Sequence, residues 1–208
     1  DRLAFMDENG AMFGEEYTLV ACADYVLSKT PGNTVSNMSS TRALRDVTEK
    51  HGGTYYSSAV GEVNVVTKMK AVNAVIGGEG NGGIIDPQLH YGRDSLIGTA
   101  LFLSLLSVRK LSVSELKKTY PEYFMSKGKI ELEPTMDVDA LLLAIEKKYA
   151  NNKPNTVDGV KIDFEASWVH LRKSNTEPII RVYTEAPSQE AADLLMNRFK
   201  EELLALGN

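Results

Sequence analysis

The sequence predicts an α/β protein: one three-layer α/β domain on a mixed sheet, then a smaller α+β domain with an antiparallel sheet and helices. Two observations carry this. Across residues 34–76 short extended segments alternate with helical ones over short connections, the rhythm of an α/β layer domain. After Tyr123 the extended segments instead cluster between two helical ones, the pattern of an α+β unit. A chain of 208 residues with 43% hydrophobic content has enough apolar material for both cores.

The elements follow in order. Residues 1–7 alternate like a strand, and Glu8-Asn9-Gly10 closes it as a turn. Residues 15–28 show helical spacing through Tyr17, Leu19, Val20, Ala23, Val26 and Leu27, stopped by Pro31-Gly32. A short strand at 34–37 precedes a helix that Ser40 or Thr41 would cap and that His51-Gly52-Gly53 ends after Lys50. A strand at 54–58, an amphipathic helix at 62–72 and a short buried strand at 74–76 complete the alternation. Residues 77–83 read as a glycine-rich loop, after which Ile84-Ile85 is again extended. A helix spans 94–111, with Arg109 and Lys110 suited to its last turn. Ser112 with Glu115 forms a capping box for a helix that ends by Pro121. The second unit reads as a strand to Leu132, a helix at 137–149, strands at 158–164, 168–171 and 179–185, and a final helix at 188–206. The expected divisions are 1–14, 15–122 and 123–208.

Charge and composition exclude several classes. The net charge is −5, so nucleic acid is not an expected partner, and the second unit lacks the aromatic pair that an RNA-binding sheet stacks on bases. The longest apolar run, 96–108, is broken by Gly98, Thr99, Ser104 and Ser107 and is too short to span a bilayer, so no membrane partner is expected. No signal peptide is visible, and the single cysteine, Cys22, forbids an intrachain disulfide. A cytoplasmic location is the expectation. Cys22 itself sits in an apolar helical pattern and reads as a packed residue rather than a nucleophile.

Three stretches can carry chemistry. Arg172-Lys173-Ser174-Asn175-Thr176-Glu177-Pro178-Ile179-Ile180-Arg181 places guanidinium, hydroxyl and amide groups in a short loop between two strands. Guanidinium forks match phosphate oxygens two at a time, and hydroxyls and backbone N–H groups supply the rest. The alternative is a solvated basic turn. Gly77-Gly78-Glu79-Gly80-Asn81-Gly82-Gly83 offers one carboxylate and one amide, a pair that accepts from and donates to vicinal hydroxyls. It is neither a P-loop nor a dinucleotide fingerprint, and its alternative is a flexible turn. Asp1-Arg2 alone says little. Among the histidines, His51 reads as a helix-end residue and His170 as a packed strand residue, whereas His90 lies seven positions past the glycine stretch, within reach of a ligand there. The spacing of His, Cys, Asp and Glu gives no closed metal site.

Together these stretches resemble the α-D-phosphohexomutase family of phosphoglucomutases, phosphomannomutases and phosphoglucosamine mutases. The family's phosphate loop, R-x-S-G/N-T-x-P with a further arginine, is matched by Arg172, Ser174, Asn175, Thr176 and Pro178, with Arg181 after them. Its sugar loop, G-E-x-S-G-H, is matched by 78–83, with Asn81 for the serine and Gly83 for the histidine. Of its metal loop, D-x-D-x-D-R, only Asp1-Arg2 is present. The variant glycine stretch followed by His90-Tyr91-Gly92-Arg93-Asp94 is most similar to the phosphoglucosamine mutase or phosphomannomutase branch.

The resemblance implies the end of a metal-binding domain at 1–14, a sugar-binding domain at 15–122 and a phosphate-binding domain at 123–208. It implies interconversion of 1-phospho and 6-phospho sugars through a phosphoserine and a sugar bisphosphate, with Mg²⁺ as cofactor. Glu79 and Asn81 would hold the sugar. Arg172, Ser174, Asn175, Thr176 and Arg181 would hold phosphate, and Asp1 would be one remnant metal ligand. The phosphoserine segment and the other metal carboxylates are not in this sequence. The expectation is therefore a C-terminal fragment that lacks its N-terminal domains, has no catalytic residue of its own and is inactive alone, with His90 as a candidate substitute for the family histidine. The competing expectation is a non-catalytic sugar-phosphate-binding module.

Overall fold

The computed structural model describes residues 1–131, 136–174, 177 and 179–207. The chain forms two units, Asp1–Glu122 and Tyr123–Asn208.

The first unit is a three-layer α/β/α sandwich. It comprises α1 (Glu15–Lys29), β1 (Asn33–Asn37), α2 (Ala43–Lys50), β2 (Tyr55–Ser58), α3 (Glu62–Ala71), β3 (Ala74–Glu79), β4 (Gly83–Ile85), α4 (Ser95–Arg109) and α5 (Val113–Lys117). The sheet order is β2-β1-β3-β4, with the first three strands parallel and β4 antiparallel to β3. Because β1 lies between β2 and β3, the two crossovers run in opposite directions. Right-handed connections then put α2 and α3 on opposite faces. Val65 and Met69 of α3 pack on Val35 and Ile85 on one face. On the other, α1 packs against α2, α4 and β3. α1 is buried nearly all round, from Leu19, Val20 and Ala23 to Leu27, as expected of a helix enclosed by neighbours. Phe102 of α4 stacks on Phe5 and meets Phe13 edge-on.

One polar knot sits in this helical layer. Buried Asp24 of α1 accepts hydrogen bonds from His51 Nε2 (2.7 Å), Arg109 Nη2 (3.1 Å) and Tyr120 Oη (3.0 Å). It thereby ties α1 to the C-terminal ends of α2 and α4 and to the segment after α5. A buried carboxylate persists only when its acceptor sites are filled in this way. Burial first, then the Asp24 charge, pushes the Tyr120 phenol well up. Cys22, fully buried on the same helix, is likewise pushed up by burial.

The second unit is a two-layer α+β fold: β5 (Phe124–Glu131), α6 (Val138–Lys148), β6 (Val160–Asp163), β7 (Trp168–Lys173), β8 (Ile179–Ala186) and α7 (Gln189–Gly207). Its sheet, ordered β5-β8-β7-β6, is antiparallel throughout. Strand alternation sends Ile130, Val160, Ile162, Val169, Leu171, Ile180 and Val182 to one face. There they meet Leu141, Leu142 and Ile145 of α6 and Phe199 and Leu203 of α7. Among the described residues no helix is long and apolar enough to cross a membrane.

Three readings are corrected. Residues 1–7 form no ladder strand; they make isolated bridges, Arg2 with Gly83 and Met6 with Met12, around the 8–10 turn. Ser40 does not cap α2, whereas Thr41 Oγ1 accepts from the N–H of Ala43, the first residue of the helix, at 3.2 Å. Arg42 holds the cap position, while Ser40 Oγ is committed to Asn37 Oδ1 and to the N–H of Gly80. The strand at 74–76 continues to Glu79, so the glycine stretch is mostly a hairpin with only 80–82 as its turn. β5 is described over Phe124–Glu131, and Leu132, the expected end of that strand, lies outside the described residues.

Candidate functional site

In a doubly wound sheet, ligands bind outside the carboxyl ends of the strands, where successive crossovers leave in opposite directions. Here that point lies between β1 and β3. Their last residues, Asn37 and Glu79, meet there: Asn37 Nδ2 donates to Glu79 Oε1 at 3.0 Å. The N–H of Gly61, which precedes α3, donates to the same oxygen at 3.2 Å. Arg93 Nη1 stands 3.4 Å from Glu79 Oε2. A carboxylate offers about four acceptor positions. Three are taken, and the fourth is on Oε2. Glu79 is only 4% exposed, so it is a built-in, fixed group rather than a loop side chain.

The glycines of this hairpin are dictated by packing. A Cβ on Gly78 would meet the Gly83 carbonyl oxygen at 2.0 Å, and one on Gly77 would meet Met69 Sδ at 2.5 Å. Half-buried Asn81 accepts from the Gly83 N–H at 3.3 Å. Its carbonyl thus shapes the turn, and its amide donors have no partner among the described residues. One acceptor position on Glu79 and the amide donors of Asn81 make the complementary pair a sugar diol needs.

Arg93 is the residue that sequence reasoning misses. Its backbone N–H and Nε grip the two oxygens of Glu62 (3.1 and 2.9 Å), and Nη2 binds Asp1 Oδ2 at 2.9 Å. Its signal is in plain view, a cation in the stretch just after the glycine hairpin, but its direction is not legible there. His90, the candidate that spacing favours, is half-exposed and donates from Nε2 to Asp94 Oδ2 at 3.1 Å. The Asp94 carboxyl is held below its usual range first by the Ile97 N–H and then by His90. His90 is a partner of the α4 cap.

The second candidate region is the β7–β8 hairpin. Ser174 N–H donates to the Ile179 carbonyl at 3.0 Å and closes the loop. Ser174 is buried, while Asn175, Thr176 and Pro178 lie outside the described residues. At its base Arg172 and Arg181 are direct cross-strand partners, and Lys129 on β5 is the partner of Arg181 on the other side. Directly opposed residues share a face, so Lys129, Arg181 and Arg172 form a row of three cations away from the helical layer. Like charges so placed repel. Local carboxylates offset them unevenly: Lys129 pairs with Glu131 at 2.9 Å, but Arg172 reaches Asp158 only at 3.6 Å and Arg181 reaches Glu177 only at 3.7 Å. Charge-assisted hydrogen bonds run to about 2.7–2.9 Å. The two arginines are therefore held but not saturated. Lys173 alternates to the helix-facing side and binds Asp139 of α6 at 2.8 Å, so it is not part of the row.

His170, two residues before Arg172 on the same face, is buried and bonded through Nε2 to the Asp158 carbonyl at 2.6 Å. A carbonyl only accepts, so Nε2 carries the proton. Burial lowers the imidazole pKa to about 4, so the ring is neutral near pH 7 and pins the segment that carries the Asp158 carboxylate. Lys129 and Asp158 are absent from the sequence reading because only strand register brings them to the arginines.

Asp1, the expected remnant of a metal site, is engaged by Arg93, and among the described residues no group of three or more His, Cys, Asp or Glu could hold a metal ion.

Two family models match successive stretches of the chain. The family model described as "Phosphoglucomutase/phosphomannomutase, alpha/beta/alpha domain III" matches residues 14–123, and "Phosphoglucomutase/phosphomannomutase, C-terminal domain" matches 130–202. A phosphoglucomutase/phosphomannomutase of Thermococcus kodakarensis is 34% identical over 92% of this chain and 42% of its own length. A probable phosphoglucosamine mutase of Methanopyrus kandleri is 31% identical over 96% of this chain and 44% of its own. A crystal structure of a phosphoglucomutase/phosphomannomutase family protein from Burkholderia thailandensis shares the fold, with TM-score 0.79 at 24% identity, over 98% of this chain and 44% of that one. The chain thus spans less than half the length of these relatives.

Proposed function

We propose, for a chain that belongs to the phosphoglucomutase/phosphomannomutase family, that it is the sugar- and phosphate-binding part of a phosphosugar mutase. The whole protein interconverts 1-phospho and 6-phospho forms of glucosamine, mannose or glucose through a phosphoserine and a sugar bisphosphate. Glu79 and Asn81 hold ring hydroxyls. Arg172, Ser174, Asn175, Thr176 and Arg181 hold the phosphate that is not reacting. The Mg²⁺ ion and the phosphoserine belong to sequence outside these 208 residues, so the chain alone does not turn over.

The observation that carries this reading is the cross-strand pair Arg172–Arg181, two opposed guanidinium groups whose carboxylate partners stand at 3.6 and 3.7 Å. A dianionic phosphate between them relieves their repulsion and reads no ring atom. That suits a bisphosphate that must bind by either end.

Isothermal titration of the chain with glucosamine 6-phosphate tests it. Arg172→Ala should cost about 1.5–3 kcal/mol of binding, and equal affinity would remove Arg172 from the site. Measurable mutase turnover by the purified chain, with Mg²⁺ and a bisphosphate activator, would contradict the assignment of chemistry to other sequence. The same titration with a panel of hexose and hexosamine phosphates ranks the substrates.

A further inference from the structure

The hairpin that carries Glu79 has a space above Gly83, and what fills it is the stem of Arg93. A Cβ at position 83 would lie 2.6 Å from Arg93 Cδ and 3.2 Å from its Cγ. Gly83 and Arg93 are thus a matched pair, the absent side chain of one being the path of the other. The guanidinium that follows this path is anchored away from Glu79. Glu62 takes its backbone N–H and Nε, and Asp1 takes Nη2, all at 2.9–3.1 Å. Only Nη1 faces Glu79, and at 3.4 Å it is the longest of these contacts. The arrangement supplies a counter-charge to a buried carboxylate while leaving Oε2 able to accept another donor.

We propose that Arg93, and not His90, is the positioning residue of the sugar site. It holds Glu79 Oε2 toward a ring hydroxyl of the bound hexose phosphate, and Gly83 is required to let it do so. This rests on the reading of Glu79 as a sugar ligand. It assigns Arg93 no contact with phosphate, because phosphate is assigned to the second unit.

The test is isothermal titration of the full 208-residue chain with two probes, glucosamine 6-phosphate and inorganic phosphate. Arg93→Ala should weaken glucosamine 6-phosphate about ten-fold and leave inorganic phosphate unchanged. Arg93→Lys should recover part of the loss, and His90→Ala should match the wild type for both probes. Gly83→Ala displaces the stem without removing the charge. It should weaken glucosamine 6-phosphate in the wild-type background and clearly less in Arg93→Ala, where only the 3.2 Å approach to Asn81 Oδ1 remains, the coupling expected of a contacting pair. A merely structural Arg93 would weaken both probes together or neither, and Arg93→Lys would not restore discrimination between them; either result overturns the proposal. Equal weakening by His90→Ala would transfer the role to His90. If the wild-type chain binds glucosamine 6-phosphate no better than inorganic phosphate, the sugar reading of Glu79 fails, and this inference fails with it. If the wild type discriminates and Arg93→Ala discriminates equally, the reading of Glu79 stands and only Arg93 is excluded.

Discussion

The β3–β4 and β7–β8 hairpins hold groups of opposite charge in opposite physical states. Around β3–β4, Glu79 is buried, and three fixed donors take most of its acceptor capacity. Its glycines touch backbone and side chains that leave no room for a Cβ. Around β7–β8, Arg172 and Arg181 are partly exposed, oppose each other directly, and reach carboxylates at distances too long for good hydrogen bonds. The first hairpin is fixed by packing and the second is poised by charge. A group that must recognise shape gains from being immobile before the ligand arrives. A group that must take a dianion gains from like-charge repulsion that the ligand removes.

The comparison can be broken in order of size. Gly78→Ala puts a Cβ 2.0 Å from the Gly83 carbonyl oxygen, inside a buried ladder that cannot shift. It should cost about 3 kcal/mol of stability, the upper part of the overpacking range. Urea unfolding followed by far-UV circular dichroism would show it, and a loss near zero would mean that the hairpin is not packing-fixed.

The second unit should respond to pH through His170. Its folded pKa of about 4 lies below the unfolded value near 6.5, so between these the unfolded chain binds the extra proton. Stability then falls as pH drops from 6.5 toward 4, by up to about 3 kcal/mol. Trp168, the single tryptophan, is buried on β7 and reports on this unit by fluorescence. His170→Gln should flatten the slope.

Removing a poised arginine should do the reverse of removing a fixed glycine. Arg181→Ala should lower phosphate affinity by about 1.5–3 kcal/mol, while its long surface pair with Glu177 puts the stability change under about 1 kcal/mol. A melting temperature that falls in step with affinity would place Arg181 in the scaffold instead. The smallest effect belongs to Lys173. Lys173→Ala removes an exposed pair with Asp139 and should change stability by less than about 0.5 kcal/mol, with phosphate affinity unchanged in titration.

Much of this is legible in the residues. Period-2 and period-3.6 patterns place the helices and strands, because side-chain burial on a strand or helix follows those periods locally. Ser112 with Glu115 reads as a capping box and is one, since a cap is made within four residues. Reading Gly77 to Glu79 as loop errs because glycine composition suggests flexibility. The structure uses glycine there for close approach within a strand. Ser40 resembles a helix cap because its actual partner, the N–H of Gly80, is forty residues away and invisible to local pattern.

The site divides in the same way. Which stretches are candidates is legible in local chemistry: one carboxylate among glycines and two arginines flanking a hydroxyl-bearing loop. What each side chain does is settled by register and crossover. Lys129 joins Arg181 only through β5–β8 pairing, and Asp158 reaches Arg172 only because β6–β7 pairing sets the start of β6 beside the end of β7. Asn37 meets Glu79 only because β1 and β3 are neighbours at the point where the crossovers diverge. Residue type and spacing therefore determined the two units and their candidate loops, since those properties act over a few bonds. The tertiary structure alone decided that Arg93 rather than His90 faces Glu79, because that choice depends on the space left above a glycine ten residues earlier in the chain.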